Sequence, residues 1–346
     1  MRTSPWLSAE SHHQLVSHVG LTAVTLHGMD ALDDVRGELA YLAARCQLPI
    51  TASPDWIFST LDAMPTAQPW AVLVRDEHEV LRASIVLATT AENQVEIVGT
   101  DQGNRGAIAA DSADSVVALA EGVHRCLRGR PSGSEVVLGP VDANHPNTQM
   151  FGAAIPGSTF IEDDPIPLIR NEGQVLTHYL SNGMRRQLRK ARNRLETDGL
   201  AWTVSVTTDP DEISSQLPVL ERCHRERDHV HGRASALDGE AGVRLWRARI
   251  KTLSRTGVLE LAMLSIDGEF AAHTLSIFDG DTYRVLEGRF VSKWSRYSPG
   301  RLLEAHIVDQ VLNEQAVPVV DWMTATAAEK LLATNDSDPM VYLHLP

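Results

Sequence analysis

Arg296-Tyr297-Ser298-Pro299-Gly300-Arg301-Leu302-Leu303, followed by Val317-Pro318-Val319-Val320-Asp321-Trp322 and then Lys330, is the stretch that decides how this chain folds. Ser-Pro-Gly is a helix start. Serine can cap, proline fits the first turn with its fixed φ and missing N–H, and glycine lets a ligand approach the free backbone N–H groups. Helix starts of this kind bind anions. Leu302, Leu303, His306, Ile307, Gln310 and Val311 keep one mostly apolar helical face, and residues 317–322 read as a short buried strand. With a strand expected at 282–287, the order is strand, anion-ready turn, helix, strand.

Working upstream, residues 213–227 and 242–255 carry helical periodicity, and 259–266 and 270–278 form a hairpin around Asp267-Gly268. The first half has a similar order. Helical spacing of Leu32, Val35, Leu39 and Leu42 is followed by a short helix at 55–58 after Pro54 and a hairpin of 70–75 with 81–87. Then come a strand at 95–98, a helix over 115–126 with Val116, Leu119, Ala120 and Val123 on one side, and a strand at 135–139. The Gly- and Pro-rich residues 139–167 read as connection and domain crossing.

The RYSPGRLL segment, with a strand ending in Asp321 and Lys330 nine residues later, resembles the GNAT-superfamily proteins of the cellulose-biosynthesis acetyltransferase type (CelD/BcsL-like), which are relatives of the Fem aminoacyltransferases. The pattern in that family is roughly Asp-Phe-Gly-Arg-Gly-x-x-x-Tyr-Lys. Residues 321–330 keep its spacing and both ends but lack the two glycines, the arginine and the aromatic before Lys330. The resemblance continues through Tyr179-Leu180-Ser181 and the basic residues 184–195, and so covers the second half. It implies an α/β chain of two tandem GNAT-like domains, each a mixed, mainly antiparallel sheet with flanking helices. The expected division is a degenerate domain over 1–165 and an acyltransferase domain over 166–346.

Composition sets outer limits. A chain of 346 residues exceeds the usual single-domain size, and 43% apolar residues suffice for two ordinary cores. Cys46, Cys126 and Cys223 are far apart with no C-x-x-C pair, which argues against a disulfide framework or structural zinc and fits a reducing cytoplasm. No run of about 18 apolar residues and no signal-like leader occurs, so a membrane span or secretion is not expected. Residues 1–170 hold 10 Arg/Lys against 21 Asp/Glu, whereas 171–346 hold 21 against 24. A net charge of −14 disfavours a broad nucleic-acid groove while leaving room for a local cationic cluster.

Chemistry concentrates in the second half. Met184, Leu188, Ala191 and Leu195 form an apolar stripe that leaves six cations on the other faces, and Arg185, Arg186 and Arg189 are candidates to grip a phosphate. Ser298, Gly300 and Arg301 are the candidate donor site, although a Ser-Pro-Gly start offers fewer amides than a longer Gly-rich loop. The resemblance implies that Lys330, one of only four lysines, stabilises charge on the reacting carbonyl, and that His224 is a helix-borne histidine near the acceptor, with Tyr297 also on that side. Acyl transfer to an amine needs a base, and Glu287 and His273 are the candidates. Residues 223–231 look metal-like but read better as a solvated helix end. No P-loop, dinucleotide fingerprint or G-x-S-x-G elbow occurs.

The expected activity is transfer of an acyl group from a thioester donor, acyl-CoA or an acyl-carrier protein, to an amine of a small or sugar-like acceptor, without metal. One alternative is an aminoacyl-tRNA-dependent transferase. Another is a degenerate GNAT-like binding subunit.

Overall fold

A computed structural model describes residues 13–18, 20–91, 93–100, 104–128, 136–313, 317–323 and 331–346. The first elements are β1 (His13–His18), β2 (Leu21–His27), α1 (Met29–Asp34), α2 (Arg36–Arg45), α3 (Pro54–Ala63), β3 (Gln68–Asp76), β4 (Leu81–Thr89), β5 (Val95–Ile97), β6 (Ala109–Ala110) and α4 (Ala113–Arg128). Next are β7 (Val136–Asp142), α5 (Pro146–Ala154), β8 (Thr159–Arg170), α6 (Leu176–Tyr179), α7 (Asn182–Thr197), β9 (Trp202–Thr207), α8 (Pro210–Val230) and α9 (Glu240–Arg255). The chain closes with β10 (Leu259–Ile266), β11 (Glu269–Asp279), β12 (Thr282–Phe290), α10 (Pro299–Asn313), β13 (Val319–Asp321) and β14 (Asp336–Leu345). Two compact units result: Met1–Asp164 with Pro339–Pro346, and Pro165–Asp338.

In the first unit, β1 to β5 form an antiparallel meander, with β6 on the free side of β4. Its two faces bury separate cores. Val116, Leu119 and Val123 of α4 cover Ala23, Val72, Ala83 and Ile85 on one face, and α1 to α3 cover Leu26, Ala71, Leu73 and Val86 on the other. A Cβ at Gly122 would stand 2.8 Å from Val72, so glycine is what lets α4 cross the sheet this closely. The expected 139–167 connection is instead the end of β7, α5 and most of β8. Its Gly and Pro residues act as punctuation, with Pro146 opening α5 and the His145 ring capping it by accepting from Asn147 N–H at 3.2 Å. Residues 340–345, placed with the second domain by the sequence reading, pair with β7 in the first unit.

The second unit is an antiparallel β9-β10-β11-β12 sheet, continued by β13 parallel to β12 and by residues 168–170 of β8 antiparallel to β13. Helices cover both faces. On one, Met184, Leu188, Ala191 and Leu195 of α7 and Leu302, Leu303 and Ile307 of α10 pack on Ala262, Leu264, Tyr283 and Val285. On the other lie α8 and α9, packed against β12 and β10. The expected hairpin is present, with Asp267 and Gly268 at φ 51° and 76°, the left-handed pair a two-residue turn requires. The two tandem GNAT-like sheets with flanking helices are therefore as expected.

One irregularity positions the chemistry. Ser276 pairs with Val285 but Leu275 pairs with Glu287, so Leu286 is an extra residue in β12. Strand side chains alternate between faces, and a one-residue bulge inverts the alternation beyond it. Tyr283 and Val285 therefore point toward α7 and α10, whereas Glu287 and Arg289 share the opposite face with His273. The register also leaves β12 paired with β13 only at Thr282, Tyr283 and Arg284 among the described residues.

Candidate active site

Glu287 is the centre of the cluster that the bulge creates. Its Oε1 lies 3.1 Å from His273 Nε2 of β11, and its Oε2 accepts from the Trp246 indole N–H of α9 at 3.2 Å. His224 Nδ1 of α8 lies 3.1 Å from Oε2. The Glu287 side chain is 9% exposed, that of His224 7% and that of His273 0%. Burial alone would raise the carboxyl pKa, but the hydrogen bonds and charges of His224 and His273 outweigh it and hold the group far below the usual carboxylate range. Glu287 is an ionised anchor at any working pH. Three of the sequence candidates, Glu287, His273 and His224, are thus brought together.

The outer nitrogen of His224 has two partners. Arg289 Nη2 is 3.3 Å from Nε2, and Asp228 Oδ2 is also 3.3 Å away. In the neutral ring with Nδ1–H toward Glu287, Nε2 accepts from Arg289. In the imidazolium, Nε2–H faces Asp228. Both protonation states have a partner in place. Sequence reading missed Arg289, Trp246 and Asp228. Arg289 stands two residues beyond Glu287 and Asp228 four beyond His224, spacings that put each on its neighbour's face. The expected solvated helix end at 223–231 is corrected: α8 runs to Val230 and buries Cys223 and His224 against β12. Burial, then the Glu226 and Glu287 carboxylates, push the Cys223 thiol up to about 12, so it is no nucleophile. Among the described residues no group of three His, Cys, Asp or Glu is arranged to hold a metal.

The opposite face holds the helix start. Pro299 opens α10 as expected, but Ser298 sits at φ 50°, a left-handed conformation rather than the extended one of an ordinary cap, and closes the 3₁₀ turn Ser292–Tyr297. Its hydroxyl meets Gln187 Nε2 of α7 at 3.5 Å. Gly300 packs on Phe290, and Arg301 forms an ion pair with Glu304 one turn on. At about 100° per residue around a helix, Arg186 lies within about 100° of Gln187, whereas Arg185 and Arg189 project about 160° from it. The three arginines do not converge on Ser298. Tyr297 is buried and donates to Asp198 at 2.6 Å, bracing the turn. Asp321 is buried, pairs with Arg284 and accepts from Met323 N–H at 2.7 Å. Lys330 lies outside the described residues.

Residues 182–331 match the family model described as acetyltransferase (GNAT) domain. The match opens on the first residue of α7 and contains the Glu287 cluster, α10 and Lys330. Solved structures similar to the whole chain include FemX, at a TM-score of 0.59 and 10% identity over 91% of this chain and 90% of that one. A conserved protein of unknown function from Bacteroides thetaiotaomicron gives 0.59 and 11% over 90% and 97%. A tandem GNAT protein of the clavulanic acid biosynthesis pathway gives 0.50 and 15% over 93% and 98%. At these identities the likeness is one of fold. No curated protein sequence gives a significant match. A match to a GNAT acetyltransferase domain model in a chain with a tandem GNAT fold supports N-acyltransferase activity for the second unit. Among the described residues no helix is long and apolar enough to cross a membrane.

Proposed function

We propose that the second unit transfers an acyl group from acyl-CoA or an acyl-carrier protein to the amine of a small or sugar-like acceptor in the cytoplasm, in the manner of the CelD-like acetyltransferases. The observation that carries this reading is the ionised Glu287 held against His224 beside the bulge in β12. In this reading Glu287 is not the base. It orients and charges His224, as the acid of a catalytic triad does for its histidine, and His224 Nε2 takes the proton directly or through a water. The acceptor nitrogen, freed of that proton, attacks the thioester carbonyl. The C–N bond forms, the C–S bond breaks, and the departing thiolate takes the second proton that the nitrogen sheds, leaving a neutral amide and a free thiol. His273 holds the other carboxylate oxygen and positions Glu287. The start of α10, on the opposite face, is where the donor phosphates bind, aided by Arg301 and by Arg186 of α7. Lys330, at the spacing of the family pattern, is the proposed oxyanion cation. The first unit is proposed as the degenerate partner domain.

Thiol release from acyl-CoA in the presence of a panel of amines tests the reading. His224→Gln should lose roughly 10²-fold or more in kcat while donor affinity stays near wild type. A second reading, an aminoacyl-tRNA donor, is favoured by the exposed arginines 185 and 189, which face away from the helix start. Absence of turnover with any thioester, together with binding of aminoacyl-tRNA, would establish it instead.

A further inference from the structure

Arg289 is out of place electrostatically. It is partly buried, its Nε is closed to solvent without a hydrogen-bond partner, and its other contacts are the carbonyl of Gly288 at 3.0 Å and the ring of His224. Among the described residues no carboxylate forms an ion pair with it. A second guanidinium stands nearby. Arg227 lies on the same side of α8 as His224, three residues on, stacks at 3.9 Å over Phe290 and likewise has no carboxylate partner. Burial first, and then the like charges of Arg233 and Arg289, hold the Arg227 pKa below its ordinary value. The nearby carboxylates are engaged elsewhere. Glu287 serves the two histidines and Trp246, Asp228 faces His224 and Arg233, and Glu226 accepts from Ser292 N–H. Gathering two cations in a half-buried place, each short of an anion, costs free energy that an anionic ligand recovers.

From this arrangement we infer that Arg289 and Arg227 form an anion subsite for the acceptor, so that the preferred substrate is an amine that also carries a carboxylate or phosphate. The inference rests on the acyltransferase reading and names its substrate class. The anion is assigned to the acceptor through Arg289, which the bulge puts on the α8 face beside His224, whereas the start of α10 is on the other face. Arg227 adds its charge from over Phe290, the ring on which Gly300 also packs. The subsite also couples to the base. An anion that draws Nη2 of Arg289 away leaves His224 Nε2 free to take the amine proton, and the imidazolium formed then has Asp228 beside it. The proton leaves the nitrogen for Nε2 and passes to solvent after the thiol departs.

The test uses matched acceptors with the full-length protein and acetyl-CoA: β-alanine against β-alaninamide, and glucosamine 6-phosphate against glucosamine. One anionic member should exceed its neutral partner in kcat/KM by roughly 10- to 100-fold, the range for a charge-assisted hydrogen bond, and the pair showing it identifies carboxylate or phosphate. Arg289→Gln should collapse that ratio toward one, and Arg289→Lys should keep part of it, since a lysine retains the charge but not the fork. Arg227→Gln is the second variant should Arg289→Gln not fold, judged by circular dichroism, and should reduce the ratio severalfold. Equal use of both members of each pair by the wild type, or ratios untouched in the variants, overturns the inference. Thermal-shift titration of the same four compounds without donor separates the two proposals: anion-selective stabilisation without turnover sinks the chemistry but not the subsite, and turnover without anion preference does the reverse.

Discussion

The helix that opens at Ala113 and the helix that opens at Pro299 each pack across an antiparallel meander in units of similar layout, and their first turns are built in opposite ways. At α4, Ser112 and Ser115 cap each other's backbone N–H at 3.1 and 3.2 Å, Asp114 adds a negative charge, and Asp111 is clamped by Arg45 at 2.7 Å and Arg82 at 2.9 Å. At α10 no acid occupies the first turn, Gly300 and Arg301 follow the proline, and the basic helix α7 reaches Ser298 through Gln187. An anion arriving at the first start meets acids and capped amides, whereas the second start has no acid in its first turn. The same architectural element is a closed structural joint in one unit and the proposed donor-phosphate site in the other. The catalytic asymmetry follows the same line, since the carboxylate–histidine cluster belongs to the second unit.

The contrast breaks first at Glu287. Glu287→Gln keeps the shape of the anchor but removes its charge, and kcat should drop by roughly 10³ or more, as when a triad loses its acid. Activity near wild type in the folded variant would leave the second unit without a distinct catalytic face. The same variant carries a pH signature. Because the folded-state pKa of Glu287 is depressed, its stabilisation is full above the unfolded value of about 4.3 and is lost as pH falls toward the folded value. Denaturant titrations between about pH 6 and pH 3 should therefore show a shallower acid loss of stability for Glu287→Gln than for the wild type.

A smaller effect is expected from making the second helix start resemble the first. Aspartate tolerates the left-handed conformation at Ser298, so Ser298→Asp adds one negative charge with little strain. The donor KM should rise roughly 3- to 10-fold at low salt, with the effect shrinking as salt is added. Unchanged donor kinetics would place the donor phosphates elsewhere. The smallest effect belongs to the first unit. Asp111→Asn loosens two half-exposed ion pairs, so calorimetry or denaturant melts should show a loss of about 0.5–1 kcal/mol while turnover stays at the wild-type level. A loss of activity there would mean that the first unit contributes to the chemistry.

Much of this was legible before any coordinates, and the parts that were not have definite causes. The hairpin 259–278 declares itself through the Asp267-Gly268 turn between two largely apolar runs, and α7 through its stripe of Met184, Leu188, Ala191 and Leu195. Residues 159–170 hid because their outer half is exposed, with Glu162, Asp163, Asp164 and two prolines interrupting a strand whose buried residues are Ile166, Leu168 and Ile169. β9 was legible in the strict alternation of Trp202, Val204 and Val206 with Thr203, Ser205 and Thr207, and went unrecognised. His224 lies in a segment so rich in charge that it looked solvated, and only the packing of α8 on β12 shows it to be buried.

The sequence by itself determined the order of the main helices and of the two hairpins, the helix start at Pro299, the family spacing from Asp321 to Lys330, and the nomination of Glu287, His273 and His224, because local propensity, periodicity and residue chemistry are properties of short stretches of chain. The tertiary structure alone decided that these three meet. A single extra residue, Leu286, turns Glu287 and Arg289 onto the face where α8 and α9 wait. Strand pairing is non-local, and neither a bulge nor the side to which a carboxylate points is written in the residues beside it.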